Sequence, residues 1–237
     1  MGSSDGQLER NAESPDSQSD TRRFGGVQLV IPPDTLNANP ESNASRNAYF
    51  GDLHVHTSYS FDAFAFGTVA SPYDAYRFAK GETIKHPAGF DLRLRAPLDF
   101  YAVTDHAMFL GAVKAASDTT TEFSRYEHVG YLHELNAPEN QNIESLPQRV
   151  SVFTSFLPET LARVVDGDVD PNLVDQIAKD AWKDTIIAAE TFNDPGNFTT
   201  FVAYEFTSST DDRGNLHRNV IFQGADRLPA MPFSRFH

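Results

Sequence analysis

The sequence predicts an α/β fold in which short apolar strands alternate with helices. The run 49–57 alternates apolar and polar side chains, as a half-buried strand does. The run 98–104 is almost wholly apolar, which is typical of a strand buried on both faces. Residues 172–191 repeat apolar side chains at helical spacing. Strands separated by helices favour a parallel sheet, and they are compatible with part of a barrel.

The remaining elements follow from local signals. Ser71, Pro72 and Asp74 are typical of the first turn of a helix, and Gly81 is a natural stop. Helical spacing also covers the segment 158–165.

Two further strands are predicted at 198–206 and 216–223, with a turn at 194–197 before the first of them. The segment 112–155 is mixed and polar without a clean period, so we expect it to belong to an insertion.

The two ends of the chain lead to further expectations. Residues 1–23 are rich in Ser, Asp, Gln and Glu, which predicts a disordered tail because little apolar surface is available to bury. A short strand is expected at 27–31. We therefore divide the chain into a tail, 1–47, and a domain, 48–237. The sequence stops after a strand and a Pro-rich connection, which predicts a domain that is cut before its end.

Composition narrows the possible functions. The formal net charge is -14 and no Lys/Arg cluster exists, so a nucleic-acid partner is not expected. There is no cysteine, so any metal must be held by His, Asp or Glu. No apolar run approaches the ~18 residues of a membrane span, and no signal peptide is evident. A protein of the cytoplasm that does not bind membranes is the default expectation.

The strongest chemical motif is the pair His54 and His56 near the end of the first strand of the domain. Residues two apart on a strand point to the same side, so one metal ion can take both rings. Asp52 shares that face, and Asp62 follows in an aromatic-rich loop. Carboxylates beside imidazoles suit Zn, Mn or Fe. An isolated pair of this kind is more often a chance arrangement on an exposed strand.

Four later residues, at three places in the chain, are also His, Asp or Glu. Asp105 and His106 follow directly after an apolar strand, Glu205 lies late in the next strand, and His217 opens the one after it. Each alone is compatible with a structural role. Together they place metal ligands near strand ends in four consecutive strands, and in α/β folds such ends carry the active site.

These residues resemble a known family. The segment 52–58 (DLHVHTS) and the triplet 104–106 (TDH) are similar to the first two motifs of PHP (polymerase and histidinol phosphatase) phosphoesterases. The longer strings 49–62, 97–107 and 201–208 are similar to domain-of-unknown-function family 3604, which is regarded as PHP-like. The similarity extends over most of 49–237.

The resemblance implies a distorted (β/α)7 barrel, here partial, truncated at its C-terminus and carrying a helical insertion. It also implies two or three divalent metal ions (Zn, Mn or Fe). The metal ligands implied by the family pattern are His54, His56, Asp62, His106, Glu205 and His217. Asp105 is interpreted as a residue that orients a ligand.

The implied activity is metal-assisted hydrolysis of a small phosphorylated substrate. The family pattern also includes a later His and a closing Asp-x-His pair, which this sequence lacks, and Met108 stands where Glu is often found. Two alternatives remain open at this point. One is an amidohydrolase-like metal hydrolase, and the other is a truncated or degenerate chain that at most binds metal.

Overall fold

The computed structural model describes residues 20–24, 27–31, 47–210 and 214–236. The chain divides into two compact units, residues 1–38 and 39–237. In the first unit, strand β1 (Asp20–Phe24) pairs antiparallel with strand β2 (Val27–Ile31). The strand expected at 27–31 is thus present, whereas β1 includes residues assigned from the sequence to a disordered tail. The rest of the predicted tail lies outside the described residues.

The second unit is built on a four-stranded sheet, and strands are numbered in chain order. Its members are β3 (Gly51–Val55), β6 (Phe100–Val103), β7 (Thr199–Thr210) and β8 (Gly214–Ile221), in that spatial order. Strands β3, β6 and β7 are parallel, and β8 is antiparallel to β7. Two further short strands, β4 (Ile84–Lys85) and β5 (Asp91–Leu92), pair with each other.

The expected partial (β/α)7 barrel is wrong. Such a barrel needs parallel strands joined by helical crossovers, and a parallel connection takes about a dozen residues or more. Thr210 pairs with Gly214, so β7 and β8 are joined by residues 211–213 alone. So short a connection can only return the chain antiparallel. The described sheet is therefore mixed, with three parallel strands and one antiparallel edge strand.

Helices occupy the connections between the strands. They are α1 (Phe61–Ala65), α2 (Pro72–Ala79), α3 (Ala112–Ser117), α4 (Leu146–Asp166) and α5 (Pro171–Phe192). The predicted start of α2 is confirmed: Ser71 and Asp74 form a capping box, each side chain bonding to the other's backbone N–H. Helix α5 confirms the helix predicted from the apolar spacing of residues 172–191.

The segment 112–155 is more ordered than its sequence indicated. It contains α3, four 3₁₀ turns and the start of α4. Its apolar side chains Val113, Phe123, Leu132 and Val152 are all almost completely buried in a hydrophobic cluster shared with α1. Short 3₁₀ turns have no 3.6-residue period, which explains why no pattern predicted this core.

Arg149, on α4, ties this core together. Its guanidinium is buried and donates to Ser145 Oγ, Asn136 Oδ1 and the carbonyls of three residues, Ala65, Leu135 and Asn140. A planar fork of five donors can satisfy so many acceptors at once, which an ammonium cannot. The bond to Ala65 fixes the end of α1, the helix that carries Asp62.

Among the described residues, no helix combines the length and the apolar character that crossing a membrane requires.

Candidate metal centre

The centre lies at the C-terminal ends of β3 and β6 and beside the middle of β7, so Glu205 is not at a strand end as expected. His54 and His56 come from the end of β3, and His106 follows β6. The pairing of β6 with β7 continues past Val103, because Glu205 N donates to Asp105 O and Ala107 N donates to Glu205 O. His106 and Glu205 therefore face each other as an isolated parallel bridge. The backbone ladder itself brings this histidine to this carboxylate.

The register of β3 against β6 is irregular at the first histidine pair, as it is at a β-bulge. The β3–β6 register shifts between Asp52 and Val55, and His54 N donates to Asp52 Oδ1 at 2.9 Å. Bulges of this kind re-aim side chains at functional sites. The two rings lie 5.2 Å apart, centroid to centroid, as the sequence spacing predicted for residues on one side.

Glu205 is the centre of the cluster. Its side chain is 1% exposed, and Oε2 lies 2.8 Å from His56 Nε2, 3.4 Å from His54 Nε2 and 3.5 Å from His106 Nδ1. Its other oxygen, Oε1, lies 2.7 Å from His217 Nδ1. One buried carboxylate is thus surrounded by four imidazole rings.

Asp62 closes a second side of the cluster. Its Oδ2 lies 3.3 Å from His106 Nε2 and its Oδ1 lies 3.4 Å from His56 Nδ1. Ser60 holds this arrangement, since its Oγ donates to Asp62 Oδ1 at 2.7 Å and is 2.8 Å from His56 Nδ1. The same hydroxyl accepts from His106 N. Ser60 thereby joins three of the expected ligands.

The structure brings all six expected ligands together. Their donor atoms form three overlapping groups in which all atoms lie within 4.8 Å of one another: His54, His56 and Glu205; His56, Asp62 and His106; His106, Glu205 and His217. Groups that share members in this way are typical of sites with more than one metal ion. Metal binding itself stays a prediction.

The nitrogen and oxygen atoms of the expected ligands are better suited to binding divalent cations than to hydrogen bonding with one another. Both oxygens of Glu205, and His56 Nε2, are buried without a hydrogen-bond partner among the described residues. Four histidine nitrogens lie within 3.5 Å of the Glu205 oxygens, but these contacts do not have the geometry of hydrogen bonds. An unpaired buried carboxylate is costly, and a cation between it and the imidazoles would remove that cost. The mixed nitrogen and oxygen donors suit Zn, Mn or Fe.

The charges of the cluster affect its protonation. Burial lowers the pKa of His56, but the hydrogen bond and charge of Asp62, with the charges of Asp105 and Glu205, outweigh burial and raise that pKa above 6.5. Burial favours a raised pKa for Asp62, yet its bonds with His106, His56 and Ser60 hold that pKa far below its usual range. Without a cation the His56 ring therefore holds a proton more readily than a free imidazole, and a metal that binds this ring must displace that proton.

Asp105 acts on the chain next to the ligands. Its carboxylate accepts from the backbone N–H of Thr57 and, at 2.6 Å, from Thr57 Oγ1. It therefore fixes the residue that follows His56, and its role in orienting a ligand stays a prediction. Burial raises the pKa of Asp105 to about 6, against the opposing bonds from Thr57 and the charge of His56.

Sequence reasoning missed Ser60 and Thr207, which both touch the expected ligands. Thr207 Oγ1 lies 2.8 Å from His106 Nδ1 and 3.2 Å from His217 Nδ1. The position of Thr207, two residues after Glu205 on a strand, places both on one face and could have identified it. Ser60 had no such signal, because the loop between His56 and Asp62 has no regular period.

The sequence matches the family described as "Protein of unknown function (DUF3604)" over residues 43–237. The chain belongs to this family, as the similarity of segments 49–62, 97–107 and 201–208 predicted. No curated protein and no solved structure matches the chain.

Proposed function

We propose that this chain is a metal-dependent hydrolase of the PHP-like type and that its substrates are small phosphoesters. The observation that carries the proposal is the Glu205 carboxylate, which is 1% exposed, has no hydrogen bond to any described residue and has four histidine nitrogens within 3.5 Å. The phosphoester substrate is supported by the PHP-like motifs around His54, His56 and His106.

Six residues would hold the cations: His54, His56, Asp62, His106, Glu205 and His217. Divalent cations at such a centre supply two effects, a lowered pKa for bound water and neutralisation of negative charge on a phosphoryl group. The second effect matters in this chain. The centre contains two carboxylates and the formal net charge is -14, so an anionic substrate is repelled unless cations reverse the local charge.

The chain's own residues define how a substrate approaches. The side chains of His54 and His217 are 59% and 42% exposed, whereas those of Glu205 and His106 are buried. The open side of the centre is therefore lined by His54 and His217. A substrate that arrives from solvent meets these rings first, with Glu205 beneath them.

The test is bound Zn, Mn and Fe by elemental analysis of the full chain, together with hydrolysis of p-nitrophenyl phosphate and bis-p-nitrophenyl phosphate. The double variant His54→Ala/His56→Ala removes two ligands. The matched control is His128→Ala/His133→Ala, which removes two histidines outside the cluster, one in the 3₁₀ turn Glu127–Leu132 and one directly after it. We expect near-stoichiometric metal and metal-dependent hydrolysis in wild type and control, and loss of both in the first variant.

Two results contradict the proposal. If the folded wild-type chain binds no metal, even after incubation with each cation, the six residues do not form a metal centre. Stoichiometric metal without hydrolysis of either ester, over a range of pH and cations, contradicts the phosphoesterase and leaves a metal-binding chain.

A further inference from the structure

Thr207 lies inside the centre without being one of the expected ligands. It is 3% exposed and is the register partner of His217 across the β7–β8 pair. Its hydroxyl lies between two rings that come from different parts of the fold, His106 after β6 and His217 on β8. At such low exposure, water has little access to replace a bond that this hydroxyl makes.

A hydroxyl carries one hydrogen and two lone pairs. Thr207 can therefore accept a hydrogen bond from one histidine and still bond to the other in either direction. The 2.8 Å distance to His106 Nδ1 is a full hydrogen bond, and the distance to His217 Nδ1 is longer, at 3.2 Å. The bond to His106 is the better defined of the two.

The two nitrogens of His106 have different neighbours. Nε2 faces Asp62 Oδ2 at 3.3 Å, within the group that also contains His56. Nδ1 faces Thr207, and the nearest oxygen of Glu205 is more distant from it, at 3.5 Å. A neutral imidazole can bind a cation only through the nitrogen that carries no hydrogen. Ligation through Nε2 therefore requires the hydrogen on Nδ1, where Thr207 can accept it.

We propose that Thr207 is a positioning residue that accepts a hydrogen bond from His106 Nδ1–H and so keeps His106 Nε2 free to bind a cation together with His56 and Asp62. The inference rests on the proposed function, because it concerns the same cations. It adds a residue that is not among the six expected ligands, and it assigns which nitrogen of His106 is the ligand.

The first test is zinc affinity, measured by competition with a chromophoric chelator on the full chain. Thr207→Val keeps the shape and removes the hydroxyl, whereas Thr207→Ser keeps the hydroxyl. We expect Thr207→Val to weaken zinc binding about 10- to 100-fold, as loss of a bond to a ligating histidine does elsewhere. Thr207→Ser should restore affinity to within about threefold of wild type, because the hydroxyl acceptor returns.

The matched control is Thr200→Val on the same strand. Thr200 Oγ1 donates to Ala189 O at 2.6 Å, so this variant removes a partly buried hydroxyl of β7 that does not touch the histidines. Its zinc affinity should equal that of wild type. Equal zinc affinity in Thr207→Val and wild type overturns the inference, as does a Thr207→Ser variant that binds zinc as weakly as Thr207→Val.

A second measurement needs no variant at position 207. It tests which nitrogen of His106 carries the hydrogen, even if Thr207→Val does not fold. Nitrogen-15 NMR of zinc-loaded wild type reports the tautomer of each histidine, and His106→Gln identifies the His106 signals by their loss. We expect hydrogen on Nδ1 of His106. Hydrogen on Nε2 overturns the inference while leaving the proposed function intact, whereas wild-type chain that binds no zinc overturns both.

Discussion

His217 Nδ1 lies 2.7 Å from Glu205 Oε1, and this contact runs diagonally across the β7–β8 pair. The register pairs Glu205 with Asn219 and Thr207 with His217, so the two side chains are offset along their strands. Diagonal neighbours in an antiparallel pair remain within reach of long side chains. The last expected ligand therefore comes from an antiparallel strand, next to the strand that carries the central carboxylate.

Glu205→Gln should reduce stabilisation by metal without harming the metal-free fold, because Glu205 belongs to two of the three ligand groups. The amide has the size of the carboxyl group but no charge to offset a cation, and the carboxylate it replaces is buried without a hydrogen bond within the part of the chain that the structure describes. For wild type, free metal at 100 times Kd adds about 2.7 kcal/mol, a rise of roughly 5–10 °C in Tm. Thermal unfolding with and without zinc checks this. A variant stabilised by zinc as much as wild type contradicts the central role of Glu205.

His56→Ala should weaken metal binding more than His54→Ala. His56 contacts both Glu205, at 2.8 Å, and Asp62, whereas His54 contacts Glu205 at 3.4 Å and is 59% exposed. We expect at least a tenfold difference in zinc Kd between the variants, or about 1.4 kcal/mol. Zinc titration of both chains measures it. Equal losses would indicate that His54 is held more firmly than its exposure implies.

Asp105 should make the metal-free chain less stable as the pH rises from about 4 to about 6. Burial, although opposed by Thr57 and His56, raises the pKa of this carboxyl from 3.8 to about 6, so the folded chain binds its proton more tightly than the unfolded chain. The resulting stability is complete below pH 3.8 and is lost as the pH passes 6. The shift corresponds to roughly 3 kcal/mol.

The measurement is urea unfolding across this pH range, with chelator present, for wild type and Asp105→Asn. The amide does not titrate, so groups that do not interact with Asp105 cancel in the difference between the two free energies of unfolding, and that difference reports Asp105 together with its coupling to His56. We expect that difference to change by roughly 3 kcal/mol, with wild type losing stability relative to the variant. A constant difference would show that Asp105 titrates normally.

Gly51→Ala should destabilise the sheet at the strand that carries His54 and His56. A Cβ at this position would clash with both the ring and the backbone oxygen of Phe100, its register partner on β6. Relief requires the two strands to separate, at a cost of about 1–3 kcal/mol. Gly130→Ala is the control, because a Cβ there meets nothing within 4 Å. Urea unfolding of both chains compares them, and equal stabilities would contradict the close approach.

The sequence alone determined the residue types of the centre and many of the local elements. The alternation around His54 and His56, the capping pattern at Ser71 and the helical spacing of α5 are local features, which depend on residues a few positions apart. The absence of cysteine limited the candidate ligands to His, Asp and Glu. The six expected ligands were chosen on these grounds and by resemblance.

Tertiary structure decided how these parts are arranged. The direction of β8 depends on the hairpin after Thr210, and the buried core of 112–155 depends on 3₁₀ turns without a period. Thr207 meets His106 across 101 positions of sequence, and Arg149 reaches Ala65 across 84. Local periodicity carries no information about such distant partners, because they meet only when the strands and helices have packed.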